Sequence, residues 1–167
     1  NHFLSEMVIL GIDHNQDFLK NILSQKDFIT GNYNTHFVKN NLNSLNSDKK
    51  DCLSPFLICA SLHDWEIRNK KRTLLKGLPS GWRNNFFEGQ KSSYKLSNND
   101  EIKCNYKFLS SNNFDFKIIE KNYKVELIDS SEELITVEIN NEIFKFHIIE
   151  KKNKLFIKNS KLGNFKL

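Results

Sequence analysis

Arginine is scarce. Arg68, Arg72 and Arg83 are the only three in 167 residues, and the rest of the 25 basic side chains are lysines. Planar, bidentate capture of phosphate by guanidinium is therefore thinly supplied. The net charge is +5, but the lysines are interleaved with Asp and Glu and no basic patch stands out. Lys, Asn and Ile together are what an AT-rich genome writes, so the excess charge reads as coding bias ahead of a nucleic-acid footprint. Glycine is limited to six scattered residues, which leaves no phosphate-cradling loop. Cys52, Cys59 and Cys104 are odd in number and lack metal-type spacing. They read as reduced, packed thiols of a cytoplasmic compartment or a mitochondrial matrix. No run approaches the ~18 apolar residues of a membrane span, and no signal peptide is visible.

Catalytic patterns are also missing. His2, His14, His36, His63 and His147 do not pair with Cys, Asp or Glu at a trustworthy ligand spacing. The segment "HDWE" (His63, Asp64, Glu66) lacks a third ligand and reads as helix surface. No GxSxG occurs. Asp64, Glu66, Glu126, Glu132 and Glu138 read as solvent-facing, so the segment is expected to carry no catalytic, cofactor-binding or metal-binding residues of its own.

What is present is bulk and pattern. Hydrophobic content is a modest 38%, yet 14 Phe, 4 Tyr and 2 Trp supply material for a core. The chain opens on Asn1 directly into patterned sequence and looks like a piece of something longer. In residues 1–38, "FLSEMVIL" fits either a short helix end or a buried strand. Next, Gly11 breaks, Asn15 can cap, and Phe18, Leu19, Ile22 and Leu23 make one apolar stripe, predicting a helix over 15–25. The chain then turns at Gly31 and returns through Thr35 and Phe37. Residues 39–51, "KNNLNSLNSDKKD", read as a linker.

The unit 52–167 starts with a strong helix signal. Ser54 can cap and Pro55 suits the first helical position, with an earlier start that Pro55 kinks as the alternative. Phe56, Leu57, Ile58, Cys59, Ala60 and Leu62 then place apolar groups on every side, as an enclosed helix requires. From "SYKL" onward, through "EIKCNYKFL", "FDFKII", "YKVELI", "LITVEI", "EIFKFHII", "KLFIK" and "GNFKL", apolar and polar residues alternate with period two, separated by short turns. The expected fold class is α+β. It is an antiparallel, roughly eight-stranded β-barrel wrapped around a long central helix, preceded by a short α/β fragment. Tyr106, Phe108, Phe114, Phe116, Phe144 and Phe146 fall on the apolar phase and read as core rather than a base-stacking platform. A filled interior also speaks against a small-molecule-binding barrel.

The order of these parts carries a resemblance. "ILGIDHNQDFLKNILSQKDFITGNYNTHFV" resembles the closing stretch of the biotin carboxylase C-terminal domain. Gly11, Asn15, Phe18, Leu19, Phe28, Gly31 and Thr35 match that pattern in order, while His14 stands where the family commonly has Thr. The long helix, "LPSGWRNN" and the strand meander resemble the domain that follows in α-subunits of biotin-dependent acyl-CoA carboxylases, the propionyl-CoA and 3-methylcrotonyl-CoA group.

The resemblance implies a non-catalytic linking domain of a ligase that uses biotin, ATP and Mg²⁺ (or Mn²⁺) with bicarbonate. It also implies a carboxyltransferase β-subunit as partner, together with the rest of the biotin carboxylase domain and a biotinyl domain. No Ala-Met-Lys-Met tetrapeptide occurs in the chain. The resemblance further points to the connector of roughly 77–90 as the docking element. There Trp82, Arg83, Asn84, Asn85, Phe86 and Phe87 offer side-chain types that dominate interfaces. The alternative for Trp82 is to plug one mouth of the barrel, with Arg83 paired to a carboxylate. No nucleic acid and no membrane is expected as a partner, and a free-standing basic barrel that binds single-stranded nucleic acid is the alternative reading of the whole.

Overall fold

The period-two alternation becomes eight antiparallel strands: β1 (Gln90–Lys95), β2 (Glu101–Phe108), β3 (Asn113–Ile118), β4 (Lys121–Ser130), β5 (Leu134–Ile139), β6 (Glu142–Lys151), β7 (Lys154–Asn159) and β8 (Gly163–Lys166). The computed structural model describes residues 2–45, 53–74, 78, 88–96, 100–110 and 112–167. Each strand pairs with its sequence neighbour, giving one meander in the order β1 to β8. The β3–β4, β5–β6 and β6–β7 hairpins turn on two residues each: Ile119-Glu120, Asn140-Asn141 and Lys152-Asn153. All six have positive φ, from 46° to 69°. Such turns match the right-handed strand twist and suit asparagine. Ile119 adopts the same geometry against the preference of a β-branched residue.

Register follows from the alternation. Tyr106 sits opposite Phe116, which sits opposite Tyr123 on the next strand. Every second residue of β2 to β6 faces one core, from Cys104 and Tyr106 through Phe114, Val125 and Val137 to Phe146. A bulge between Leu127 and Asp129 interrupts the β4–β5 ladder, and an extra residue of this kind bends the strand and increases its local twist.

Helix α6 (Leu53–Lys71) runs 19 residues, roughly 28 Å at 1.5 Å per residue. It starts slightly before the expected Ser54 cap, with Pro55 inside its first turn. That is tolerated because the first N–H groups of a helix have no intrahelical acceptor. The Ser54 hydroxyl instead accepts a hydrogen bond from the Tyr123 hydroxyl at 2.9 Å.

Phe56, Leu57, Ile58, Cys59, Ala60 and Leu62 are all fully buried. Phe56 packs on Phe146 of β6 and Phe165 of β8, and Trp65 on Phe108 of β2 and Phe114 of β3. Tyr94 of β1 and Tyr123 of β4 reach the helix through their hydroxyls, and β5 and β7 lie against its backbone. One sheet thus touches one helix from all eight strands, and a flat sheet has no way to do so. The expected closure is corrected, however. Among the described residues no ladder joins β1 to β8, so the sheet is curved and open.

The N-terminal unit also departs from expectation. Residues 2–45 contain α1 (His2–Glu6), α2 (Gln16–Ser24), α3 (Lys26–Ile29), α4 (Phe37–Asn40) and α5 (Leu42–Leu45), and no strand. The expected short α/β fragment is therefore a set of short helices with irregular connections. "FLSEMVIL" is too short for its pattern to choose an element. The return through Phe37 is held by a ring cluster, with Phe28 stacked on Tyr33 at 4.6 Å and tilted against Phe37 at 5.9 Å. Asn15 sits at the N-cap of α2 without a side-chain capping bond, and the buried residue of α2 is Gln16 rather than any member of the apolar stripe. Residues 39–45, read as linker, continue into α4 and α5, where Leu45 is buried and its carbonyl accepts from Asn21 Nδ2 at 2.8 Å.

Candidate interaction surface

Helix α6 is apolar all round in its first half and acquires a polar stripe in its second. Ser61, Asp64 and Arg68 follow at spacings of three and four, which align on one helix face, and that face meets β1 and β2. The Tyr94 hydroxyl donates to Asp64 Oδ2 at 2.7 Å and lies 3.3 Å from Ser61 Oγ. Next along the stripe, Arg68 Nη2 donates to the Tyr106 hydroxyl, which donates in turn to Gln90 Oε1 at 2.9 Å. Gln90 and Tyr106 are direct cross-strand partners, so the register itself brings them together.

These groups hold rather than react. Burial, with the Asp64 charge alongside, pushes the Tyr94 phenol far above its ordinary value, so it stays a hydrogen-bond donor. Burial also raises Tyr106, against the opposing pull of Arg68. The Cys104 thiol is pushed up to about 11 by burial, and Cys59 is raised by the same cause. Neither is a thiolate nucleophile at neutral pH.

The "HDWE" segment is less of a surface than its sequence suggested. His63 and Trp65 are buried, His63 Nδ1 stands 3.9 Å from Asp64 Oδ1, and Glu66 pairs with Lys70 at 3.3 Å. Among the described residues no three His, Cys, Asp or Glu side chains are grouped to hold a metal. Glu126 and Glu132 are exposed, and Glu138 is half-buried. The six strand aromatics expected in the core face inward: Phe108 is partly buried and the other five are buried.

The connector residues Trp82, Arg83, Asn84, Asn85, Phe86 and Phe87 lie outside the described residues. What the structure places is their framing. Helix α6 ends at Lys71, and Arg72 Nη2 donates to the carbonyl of Leu78. On the far side Gly89 runs so close to β2 that a Cβ there would lie 2.9 Å from the Tyr106 carbonyl oxygen. Only glycine permits that approach. On the near side the chain is thus described to residue 74 and at Leu78, and on the far side it resumes at Glu88 and enters β1 at Gln90, beside the Arg68–Tyr106–Gln90 hydrogen bonds.

Beside Gly89, a depression of about 660 Å³ crosses the outer face of β2, β3 and β4. Lys107, Asp115 and Lys124 rim one side, and Asn105, Lys117 and Asn122 rim the other, as two cross-strand rows. Sequence reasoning missed the polar stripe and this depression. The stripe had a signal in the spacing of Ser61, Asp64 and Arg68, whereas the depression depends on register.

Among the described residues no helix is long and apolar enough to cross a membrane. In comparisons with known proteins, no family model and no curated protein matches this chain.

Proposed function

We propose that the chain is a non-catalytic joint: the end of a biotin carboxylase domain (1–38), a linker (39–51), and the linking domain (52–167) of a biotin-dependent acyl-CoA carboxylase α-subunit. In this reading the strands form a barrel-like wall around α6 as the central helix, left open between β1 and β8. The connector carrying Trp82 and Arg83 docks the carboxyltransferase β-subunit. Biotin, ATP and Mg²⁺ act elsewhere in the assembly, and carboxylation of the acyl-CoA is the work of the whole enzyme.

The observation that carries the reading is the contact of one helix with all eight strands, which follows the order of parts that the resemblance implies. A second feature supports it. In the N-terminal unit Phe3, Val8, Ile12, Leu19, Ile29, Tyr33, Val38 and Leu42 are exposed, Phe3 by 76% and Ile29 by 70%, while its buried hydrophobics among the described residues are Phe37 and Leu45. That many exposed hydrophobic side chains within residues 2–45 suit a piece that packs against a larger body, here the remainder of the carboxylase domain.

The test is co-elution with a carboxyltransferase β-subunit. Trp82→Ala or Arg83→Ala is expected to weaken association roughly thirty-fold or more, the effect of losing an interface anchor worth about 2 kcal/mol, with the thermal midpoint unchanged. Unchanged association, or loss of folding in both variants, would count against the docking role. Salt-dependent retention on single-stranded DNA without β-subunit binding would favour the nucleic-acid alternative.

A further inference from the structure

The N-terminal unit meets the sheet along β6, β7 and β8, with Gly11 close to Ile149 of β6, and where α2 meets β7 and β8 the contact has a polar, buried centre. Gln16 of α2 is 3% exposed. Its Nε2 donates to the carbonyls of Leu4 and Met7. Its Oε1 accepts from Asn164 Nδ2 at 3.1 Å and from Lys158 Nζ at 3.5 Å. Both donors and both acceptor positions of the amide are thus used.

Lys158 is 1% exposed, covered by this unit. Asp17 adds two bonds to the same residue of β8, accepting from the Asn164 backbone N–H at 3.1 Å and from Asn164 Nδ2 at 3.2 Å. At the rim Lys20 Nζ donates to the Ser160 carbonyl at 3.3 Å, and Lys166 pairs with Asp13, whose carboxyl it holds below the usual range.

A greasy contact tolerates sliding, because apolar burial has no direction. A buried polar contact does not. Any shift of α2 across β8 breaks the bonds that Gln16 Oε1 shares with Asn164 and Lys158 and those that Asp17 shares with Asn164, at a desolvation cost for each buried polar atom left short of a partner. Of the α2 stripe, Leu19 is exposed and Phe18, Ile22 and Leu23 are half-buried, so the fully buried side chain that α2 sets on the sheet is Gln16.

We propose that this seam is a geometric lock that seats the N-terminal unit on β7–β8 in one orientation, with Gln16 as its positioning residue, so that the two units move as one body. The lock stands on geometry alone; only its consequence rests on the preceding reading. There, the carboxylase is carried at a fixed angle to the linking domain, and the travel of tethered biotin arises elsewhere in the assembly.

The test uses the full chain with Cys52, Cys59 and Cys104 replaced and spin labels at Lys26→Cys and Lys121→Cys, both exposed positions. The unsubstituted seam is expected to give one narrow distance distribution. Gln16→Leu is expected to broaden it and to speed amide exchange in residues 2–24 at least tenfold, leaving β3 to β6 unchanged. Asn164→Ala, which cuts the seam from the sheet side, is expected to do the same.

A broad distribution in the unsubstituted protein overturns the lock. So does unchanged exchange in both variants, or exchange that accelerates equally everywhere in both. None of these readouts involves the β-subunit. Failure to bind that subunit with the narrow distance intact sinks the functional reading and leaves the lock standing.

Discussion

Alanine at Phe56, Leu57 or Ile58 is expected to destabilise the protein by about 2–5 kcal/mol in each case, with no position spared. Successive residues of a helix point about 100° apart, so these three span about 200° of α6, and Cys59, also fully buried, points into the remaining sector. On an amphipathic helix at least one of these four directions faces water, and truncation there is nearly silent. Here all three are fully buried, and each removal leaves a cavity that neighbouring strands fill only partly. The spread within that range should follow the lining, with Phe56 losing two ring contacts, at 5.7 Å to Phe146 and 5.0 Å to Phe165. Urea unfolding midpoints give the measurement. Lys70→Ala on the exposed end of the same helix serves as control and should stay within about 0.5 kcal/mol. A value that small at Phe56, Leu57 or Ile58 means that the helix has an open side.

The second large effect is expected at Trp65→Ala, about 3–5 kcal/mol. Trp65 is 3% exposed. It lies parallel to Phe108 at 5.7 Å and 11°, and edge-on to Phe114 at 5.1 Å and 86°. Those geometries are the favourable ones for aromatic quadrupoles. A double-mutant cycle of Trp65→Ala with Phe108→Ala should therefore return about 0.5–1.5 kcal/mol of coupling beyond area burial. The location gives the result its interest, because Trp65 sits just before Arg68, where the connector is framed. If Trp65→Ala costs less than about 1 kcal/mol, this half of the helix is not seated on β2 and β3.

Much of this fold was legible because strand patterning has a period of two and leaves little choice of face. Tyr106, Phe114, Phe116, Val137 and Phe146 all point where the alternation put them. The burial of the first half of α6 was legible for the opposite reason, since the run from Phe56 to Ala60 has no polar side, and all five residues are buried. The N-terminal unit was harder. Met7 to Leu10 are four apolar residues in a row, and such a run says nothing about period. The structure leaves them outside any helix or strand.

Gln16 was overlooked because a glutamine beside an apolar stripe reads as solvent-facing. Its burial comes from Asn164 and Lys158, more than 140 positions away in sequence. Lys158, next to buried Ile157 on β7, is 1% exposed and meets Gln16 of the N-terminal unit, a contact that strand alternation does not announce. Sheet closure was overestimated for a simpler reason. Patterning gives each strand two faces but does not say whether the first and last strands meet, and β1 and β8 do not pair.

The most direct test of an enclosed helix is thiol labelling along it. Cys52, Cys59 and Cys104 would be replaced, and single cysteines placed in turn at each position from Phe56 to Leu62. The expected result is that every one of them reacts no faster than the protein globally unfolds. Rapid labelling at positions three or four residues apart would reveal a wet face on α6 and contradict the account.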